Sequence, residues 1–185
     1  MITTTTAKDY LAFDKLKDGR TVEVRAICPA DKSILEEGMH HLSKQSLYFR
    51  FFIYKDSLST KELDYFTNVD FIKHVALVAG FYDKERFSPA GTARYILSSE
   101  PDKLGTAEFA VTVAEEFQGL GFGTILLRHL EKIARANGVK MLTGLVLPEN
   151  HKMLSLLNHS DMPLKRELDQ AGEWCVSLSL SDQKP

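Results

Sequence analysis

One stretch constrains this 185-residue chain more than any other. Residues Val111 to Thr124 read Val-Thr-Val-Ala-Glu-Glu-Phe-Gln-Gly-Leu-Gly-Phe-Gly-Thr. A β-prone run leads into it. An amphipathic run leaves it, with Phe122, Leu126, Leu130, Ile133 and Ala134 at helical spacing. Glycines permit unusual dihedrals and a close backbone approach. The first N–H groups of a helix lack internal partners and point into the preceding turn. Strand, glycine loop and helix start therefore make a cradle suited to a phosphate or pyrophosphate. Two common nucleotide loops do not fit. A dinucleotide fingerprint needs Gly-x-Gly-x-x-Gly, whereas here Gly123 arrives one residue early and Thr124 takes its place. No acidic residue ends the following apolar run, 141–147. A P-loop is excluded because no Gly-Lys-Ser or Gly-Lys-Thr follows the glycines.

The rest of the chain supplies the frame. Residues 20–26 alternate after a turn at Asp18 and Gly19, which predicts a first strand. Pro29 to Asp31 open a helix running to about Lys44. Residues 46–53 are dense in aromatics, with Tyr48, Phe49, Phe51 and Phe52 around Arg50. Ser59 and Glu62 form a capping box for a helix over 60–67. Strands follow at 74–82 and 91–97, joined by a polar turn from Asp83 to Pro89, and at 105–113. The helix after the glycine loop ends at Gly138. A buried-type strand over 141–147 and a helix from Pro148 and Glu149 to about Asn158 come next. Residues 164–168 and 174–180 form a last strand pair. This order predicts one α/β (α+β) domain with a largely antiparallel first half. Its bounds are 20–180, between an extension over 1–19, with a loose tail at Thr3 to Thr6, and a tail over 181–185.

Composition narrows the classes of function. With 44% hydrophobic and 26% charged residues and a net charge of -2, nothing indicates a nucleic-acid partner. Cys28 and Cys175 make neither a metal spacing nor a disulfide framework and read as packing residues in a reducing compartment. His40, His41, His74 and His129 show no metal spacing, so no metal is expected. Residues 1–12 lack an apolar signal core, and no run reaches membrane-spanning length, so a cytoplasmic protein without membrane attachment is expected.

Gln118-Gly119-Leu120-Gly121-Phe122-Gly123 resembles the Q/R-x-x-G-x-G/A loop of the GCN5-related N-acetyltransferases (GNAT), and the likeness extends over about 20–180. Within that superfamily the chain is most similar to bacterial protein lysine acetyltransferases. Three blocks in order carry this: residues 46–52 (SLYFRFF), 107–111 (AEFAV) and 147–154 (LPENHKML). The resemblance implies a mixed, mostly antiparallel twisted sheet of six to seven strands with helices on both faces. It implies acetyl-coenzyme A as co-substrate. The strand before the loop bulges and splays from the next one, so that Phe109 to Val113 pair with the pantetheine arm. The amides of Gln118, Gly119, Leu120, Gly121, Phe122, Gly123 and Thr124 hold the pyrophosphate, and Asn150 bonds the pantetheine. The expected acceptor is a protein lysine, with an acyl-CoA synthetase among the partners. A small-molecule amine acceptor, or a coenzyme A-binding regulatory module, are the alternatives. The chain departs from the pattern after Asn150. Leu157, His159, Asp161 and Met162 occupy the usual helix end, and no tyrosine lies between Val139 and Pro185.

Acyl transfer to an amine needs the amine neutral, and a lysine ammonium with a reference pKa of about 10.4 is almost wholly charged at pH 7. The resemblance makes Glu108 the general base. Alternation sets Glu108, Ala110 and Thr112 on one face, and Phe109, Val111 and Val113 on the other. Burial of Glu108 is expected to push its pKa toward neutrality. An ion pair with Arg94 or a nearby lysine is the structural alternative. The Val111 N–H is the candidate oxyanion donor, and His159 the candidate proton donor in place of tyrosine. The aromatic cluster over 48–52 either walls the acceptor pocket or packs as core. Arg50 within it is expected in a salt bridge or a cofactor contact.

Overall fold

A computed structural model of the chain describes residues 7–83 and 86–181. The tail expected at Thr3 to Thr6 lies outside them. One eight-stranded sheet, in the order β1-β2-β3-β4-β5-β6-β8-β7, organises the molecule. Its strands are β1 (Leu11–Lys15), β2 (Thr21–Ala26), β3 (His74–Asp83), β4 (Arg86–Leu97), β5 (Thr106–Val113), β6 (Met141–Val146), β7 (Leu164–Leu168) and β8 (Trp174–Ser179). All pairs are antiparallel except β5 with β6. Five helices complete it: α1 (Lys32–His40), α2 (Lys44–Phe51), α3 (Thr60–Thr67), α4 (Phe122–Ala136) and α5 (His151–Asn158). No helix among the described residues is long and apolar enough to cross a membrane.

The core lies between the sheet and α4. Phe122, Ile125, Leu126, Leu127, Leu130, Ile133 and Ala134 of α4 are buried. They meet Val75, Leu77, Ala93, Tyr95, Phe109 and Val111 in one cluster. These sheet residues share a face because directly paired residues point the same way. Buried Tyr95 stays satisfied, since Asn137 Nδ2 donates to its hydroxyl at 2.7 Å. The other face carries His74, Arg94, Thr92, Thr112 and Glu108, and α1 to α3 pack over its β4 part, leaving Glu108 exposed. Ser59 and Glu62 form the expected capping box at the start of α3.

Several features depart from the sequence expectations. The turn expected from Asp83 to Pro89 is shorter, because β4 already begins at Arg86. The strand count exceeds seven because Leu11–Lys15 pairs with β2 as an edge strand. Its pattern is inverted: Leu11 and Phe13 are exposed, while Asp14 faces inward. Side-chain bonds to α4 hold it instead, Tyr10 to His129 at 2.5 Å and Asp14 to Arg128 and His129. The aromatic stretch forms α2, separated from α1 by a break at His41 to Ser43, where the Ser43 hydroxyl caps the new helix. Cys28 and Cys175 are exposed, not packed.

Buried Arg94 has neutral partners. Its Nη1 donates to the Phe66 carbonyl at 3.3 Å and meets His74 Nε2 at 3.2 Å, and its guanidinium sits over the Phe66 ring. His74 is pushed down to about 4, first by burial and then by the charge of Arg94, with Asp70 opposing. A depressed folded-state value means full stability above about pH 6.5, lost as pH falls toward 4. The loss at pH 4 is about 3 kcal/mol. Urea melts of wild type and His74→Gln check this. The stability of wild type relative to the variant should drop by that amount between pH 7 and pH 4; a constant difference would refute it.

Candidate active site

The site begins where β5 and β6 part. Their parallel ladder holds only three pairs: Thr106 with Met141, Ala107 with Leu142 and Glu108 with Thr143. Beyond Glu108, β5 continues to Val113 against β4 alone, which leaves a wedge on its other side. Hydrogen bonds fix which groups face it. Ala114 N donates to Ala90 O, and Ser98 N to Thr106 O. The ladder alternation then turns the N–H and C=O groups of Glu108, Ala110 and Thr112 toward β4, and those of Phe109, Val111 and Val113 toward the wedge. The expected splay is present. The expected bulge is not in β5, whose ladder with β4 is unbroken. The register shift falls one strand away, where Ala79 pairs with Gly91 and Gly80 with Pro89, leaving Ala90 as the extra residue. The splay needs no bulge because β6 simply ends its pairing with β5 at Thr143.

The glycine loop closes the wedge at the end of β5. A 3-10 turn over Glu115–Phe117 leads into extended Gln118. The Gln118 side chain donates back to Val113 O at 2.9 Å and accepts from Lys152 Nζ. This tie anchors the loop to both β5 and α5. Gly121 caps α4 with φ +108, a left-handed conformation that L side chains rarely adopt. Gly123 meets a different constraint: a Cβ there would lie 3.3 Å from Leu156 of α5. The first helical bond runs from Ile125 N to Gly121 O at 3.1 Å. The N–H groups of Phe122, Gly123 and Thr124 precede it, so they are free for an anion at the positive end of a 15-residue helix.

Glu108 lies at the fork of the wedge. It is exposed rather than buried, because its face of β5 is uncovered there. No ion pair or side-chain hydrogen bond engages it among the described residues, so the alternative pairing with Arg94 does not form. β5 carries Glu108 and Val111, the loop from Gln118 to Thr124 follows it, and α5, which Asn150 opens, meets that loop through Lys152 and Leu156. Asn150 caps α5, its Oδ1 accepting from Met153 N at 3.1 Å, which leaves its amide NH2 for a ligand. His159 stands at the other end of α5, exposed, with Nδ1 against Ser155 O at 2.7 Å. No group of three or more potential metal ligands occurs among the described residues.

The chain is similar to known acetyltransferases. The model of the acetyltransferase (GNAT) family matches residues 39–159. The chain belongs to this family. The acetyltransferase PA5475 of Pseudomonas aeruginosa is 31% identical over 143 residues, 77% of this chain and 75% of that protein. Among solved structures, the GNAT domain of S. lividans PAT superposes with a TM-score of 0.81 at 30% identity, covering 91% of this chain and 96% of that one. The acetyl-CoA complex of yncA, a putative acetyltransferase from Salmonella typhimurium, shares the fold at TM-score 0.72 and 18% identity, over 89% and 96% of the two chains. As a GNAT member the protein is an acetyl-CoA-dependent N-acetyltransferase. The wedge and the free amides of the loop fit that co-substrate: one offers unpaired strand edges to an extended amide arm, the other a charged diphosphate seat.

Lys17 is a loop neighbour that the sequence did not reveal. Its N–H donates to Leu120 O at 3.3 Å, and a Cβ on Gly121 would lie 3.7 Å from its Cγ. It sits far away in sequence, in the turn after β1, and nothing in its local pattern marks it. An exposed ammonium beside a diphosphate seat adds a modest attraction. Lys17→Gln is expected to raise the KM for acetyl-CoA about 3-fold, with kcat unchanged, and more at low salt. Equal KM values at low ionic strength would remove Lys17 from the site.

Proposed function

We propose that this enzyme acetylates the side-chain amine of a protein lysine by direct attack, with Glu108 as the base. The observation that carries this is the unpaired, exposed carboxylate of Glu108 at the fork of the β5–β6 wedge, three residues before Val111. An exposed base is within reach of a lysine on a folded partner. Similarity to the GNAT domain of PAT supports the same reading.

Bound acetyl-CoA supplies the acetyl thioester. Phe109 and Val111 present backbone groups and Val113 its N–H to its amide arm, Asn150 offers its side-chain amide, and Gln118 to Thr124 hold the diphosphate. Glu108 accepts a proton from the acceptor ammonium, directly or through one water. The Val111 N–H donates to the carbonyl oxygen as negative charge grows there. His159 is the proposed proton donor to the departing thiolate. Its Nδ1–H donates to Ser155 O, so Nε2 has a proton to give to the thiolate only when the ring is the imidazolium. No acyl-enzyme is involved, since Cys28 and Cys175 lie outside the site. A separate acyl-CoA synthetase is a proposed partner, with one of its lysines as the target.

A second reading, a small-molecule amine acceptor, draws on the cavity of about 380 Å³ between α1 to α3 and β4. The test is release of coenzyme A from acetyl-CoA over a panel of proteins and small amines, with products identified by mass. Acetylation of particular protein lysines that requires Glu108 supports the first reading. Turnover confined to small amines replaces it with the second. Cofactor binding without turnover on either set leaves a regulatory module.

A further inference from the structure

The cavity between α1 to α3 and β4 has an unbalanced charge inventory. Its wall includes Arg50 from α2 and Arg94 from β4, together with Phe51, Phe66 and Thr92. Arg86 and two carboxylates, Glu37 and Glu116, also line it, and each carboxylate has a partner of its own. Glu37 faces Arg86 at 3.8 Å, and Glu116 meets His41 at 2.9 Å. Arg50 and Arg94 have no such partner. Arg94 is only 6% exposed, and its bonds go to a carbonyl and to His74. His74 is neutral at pH 7, so it accepts from Arg94 without cancelling the charge. Arg50, half-buried, makes no hydrogen bond or ion pair among the described residues, and its guanidinium lies 5.0 Å from the centre of the Phe51 ring.

The two guanidinium groups also act on each other. Arg94 is pushed down to about 9, first by burial and next by the charge of Arg50, with Tyr65 opposing. Arg50 is lowered by burial as well, and the field that opposes this comes from Glu108. A buried and a half-buried cation lining one cavity are costly without an anion. Burial alone would favour leucine or methionine at such positions. A guanidinium lining a cavity, with its planar fork unoccupied, matches a carboxylate by two parallel hydrogen bonds. Through this field Glu108, the proposed base, is coupled to the cavity.

We propose that Arg50, with Arg94, forms an anion subsite in the cavity between α1 to α3 and β4, and that it binds a carboxylate carried by the acceptor amine. The inference rests on the acetyl-transfer reading for the word acceptor, and on the cavity alone for the word carboxylate. Two sources share this chemistry: the α-carboxylate of a free amino acid, or an acidic side chain beside a protein lysine.

Two measurements test it. The first is calorimetric binding of glutarate, as a plain dicarboxylate probe, to wild type and to Arg50→Gln and Arg50→Lys. Binding is expected in wild type, lost in Arg50→Gln and partly kept in Arg50→Lys. Absence of binding in wild type, or equal binding in Arg50→Gln, overturns the subsite. The second compares kcat/KM for matched acceptors: free amino acids against their α-amides, and lysine peptides with a neighbouring Glu against the same peptides with Gln. The carboxylate member of one series is expected to be preferred about 30-fold or more, and Arg50→Gln should reduce that preference to within about 3-fold. The series that shows the preference names the source. Equal kcat/KM for acid and amide in both series overturns the proposal. Glutarate binding without turnover of any amine would keep the subsite and refute the acetyl-transfer reading instead. Acetyl-CoA affinity and Tm serve as folding controls. Both should hold in Arg50→Gln, because the change removes a repulsion with Arg94.

Discussion

Replacing Glu108 by glutamine is expected to lower kcat/KM at pH 7 by about 100-fold or more, with acetyl-CoA affinity intact. Glutamine keeps the size and the exposed position of Glu108 on β5 but cannot take a proton. The acceptor must then lose its proton to solvent. A lysine-type amine, at about 10.4, is neutral in only a small fraction of molecules at neutral pH. The variant should therefore recover activity steeply as pH rises from 6 to 9, more steeply than wild type. Cofactor affinity should hold because the proposed seat uses backbone groups of β5 and the loop, not this carboxylate. Unchanged turnover across that pH range would sink the assignment of Glu108 as base. A matching loss of acetyl-CoA affinity would make it a positioning residue of the wedge.

The second large effect is expected at the mouth of α4. Gly121→Glu should weaken acetyl-CoA binding by more than about 100-fold in a protein that still folds. Two costs combine. A side chain at φ +108 is strained by about 1–3 kcal/mol. A carboxylate beside the free N–H groups of Phe122, Gly123 and Thr124 also competes with and repels a diphosphate. Gly121→Ala separates the two, since it brings the strain without the charge and should cost about 10-fold. Calorimetric titration with acetyl-CoA, beside circular dichroism of each variant, checks both. Wild-type affinity in folded Gly121→Glu would move the diphosphate elsewhere.

Much of the fold was legible residue by residue. Gly138 at φ +77 ends α4 as its position suggested, and the Ser59–Glu62 box opens α3 at Thr60. These are local matters, settled by dihedral freedom and by short-range hydrogen bonds. β1 was not legible, because its apolar residues Leu11 and Phe13 point to solvent. Its place depends on Tyr10 and Asp14 meeting a helix more than a hundred residues later. The break between α1 and α2 was missed for a similar reason. Ser43 Oγ accepts from Ser46 N, and Glu115, from the loop after β5, bonds Ser43 N at 3.2 Å and Ser46 Oγ at 2.5 Å.

The site divides along the same line. Sequence order and glycine spacing by themselves determined the cradle from Val111 to Thr124. A left-handed residue, a close helix contact and a helix start are properties of adjacent residues. Alternation alone set Glu108 and Val111 on opposite faces of one strand. Only the tertiary structure decided that β6 leaves β5 at Thr143 and opens the wedge, that Glu108 stands exposed and unpaired, and that Lys17 reaches the loop. It alone joined Arg50 to Arg94 across 44 residues of chain in one cavity. Such placements depend on which surfaces pack together, and long-range packing leaves no periodicity in a single sequence to read.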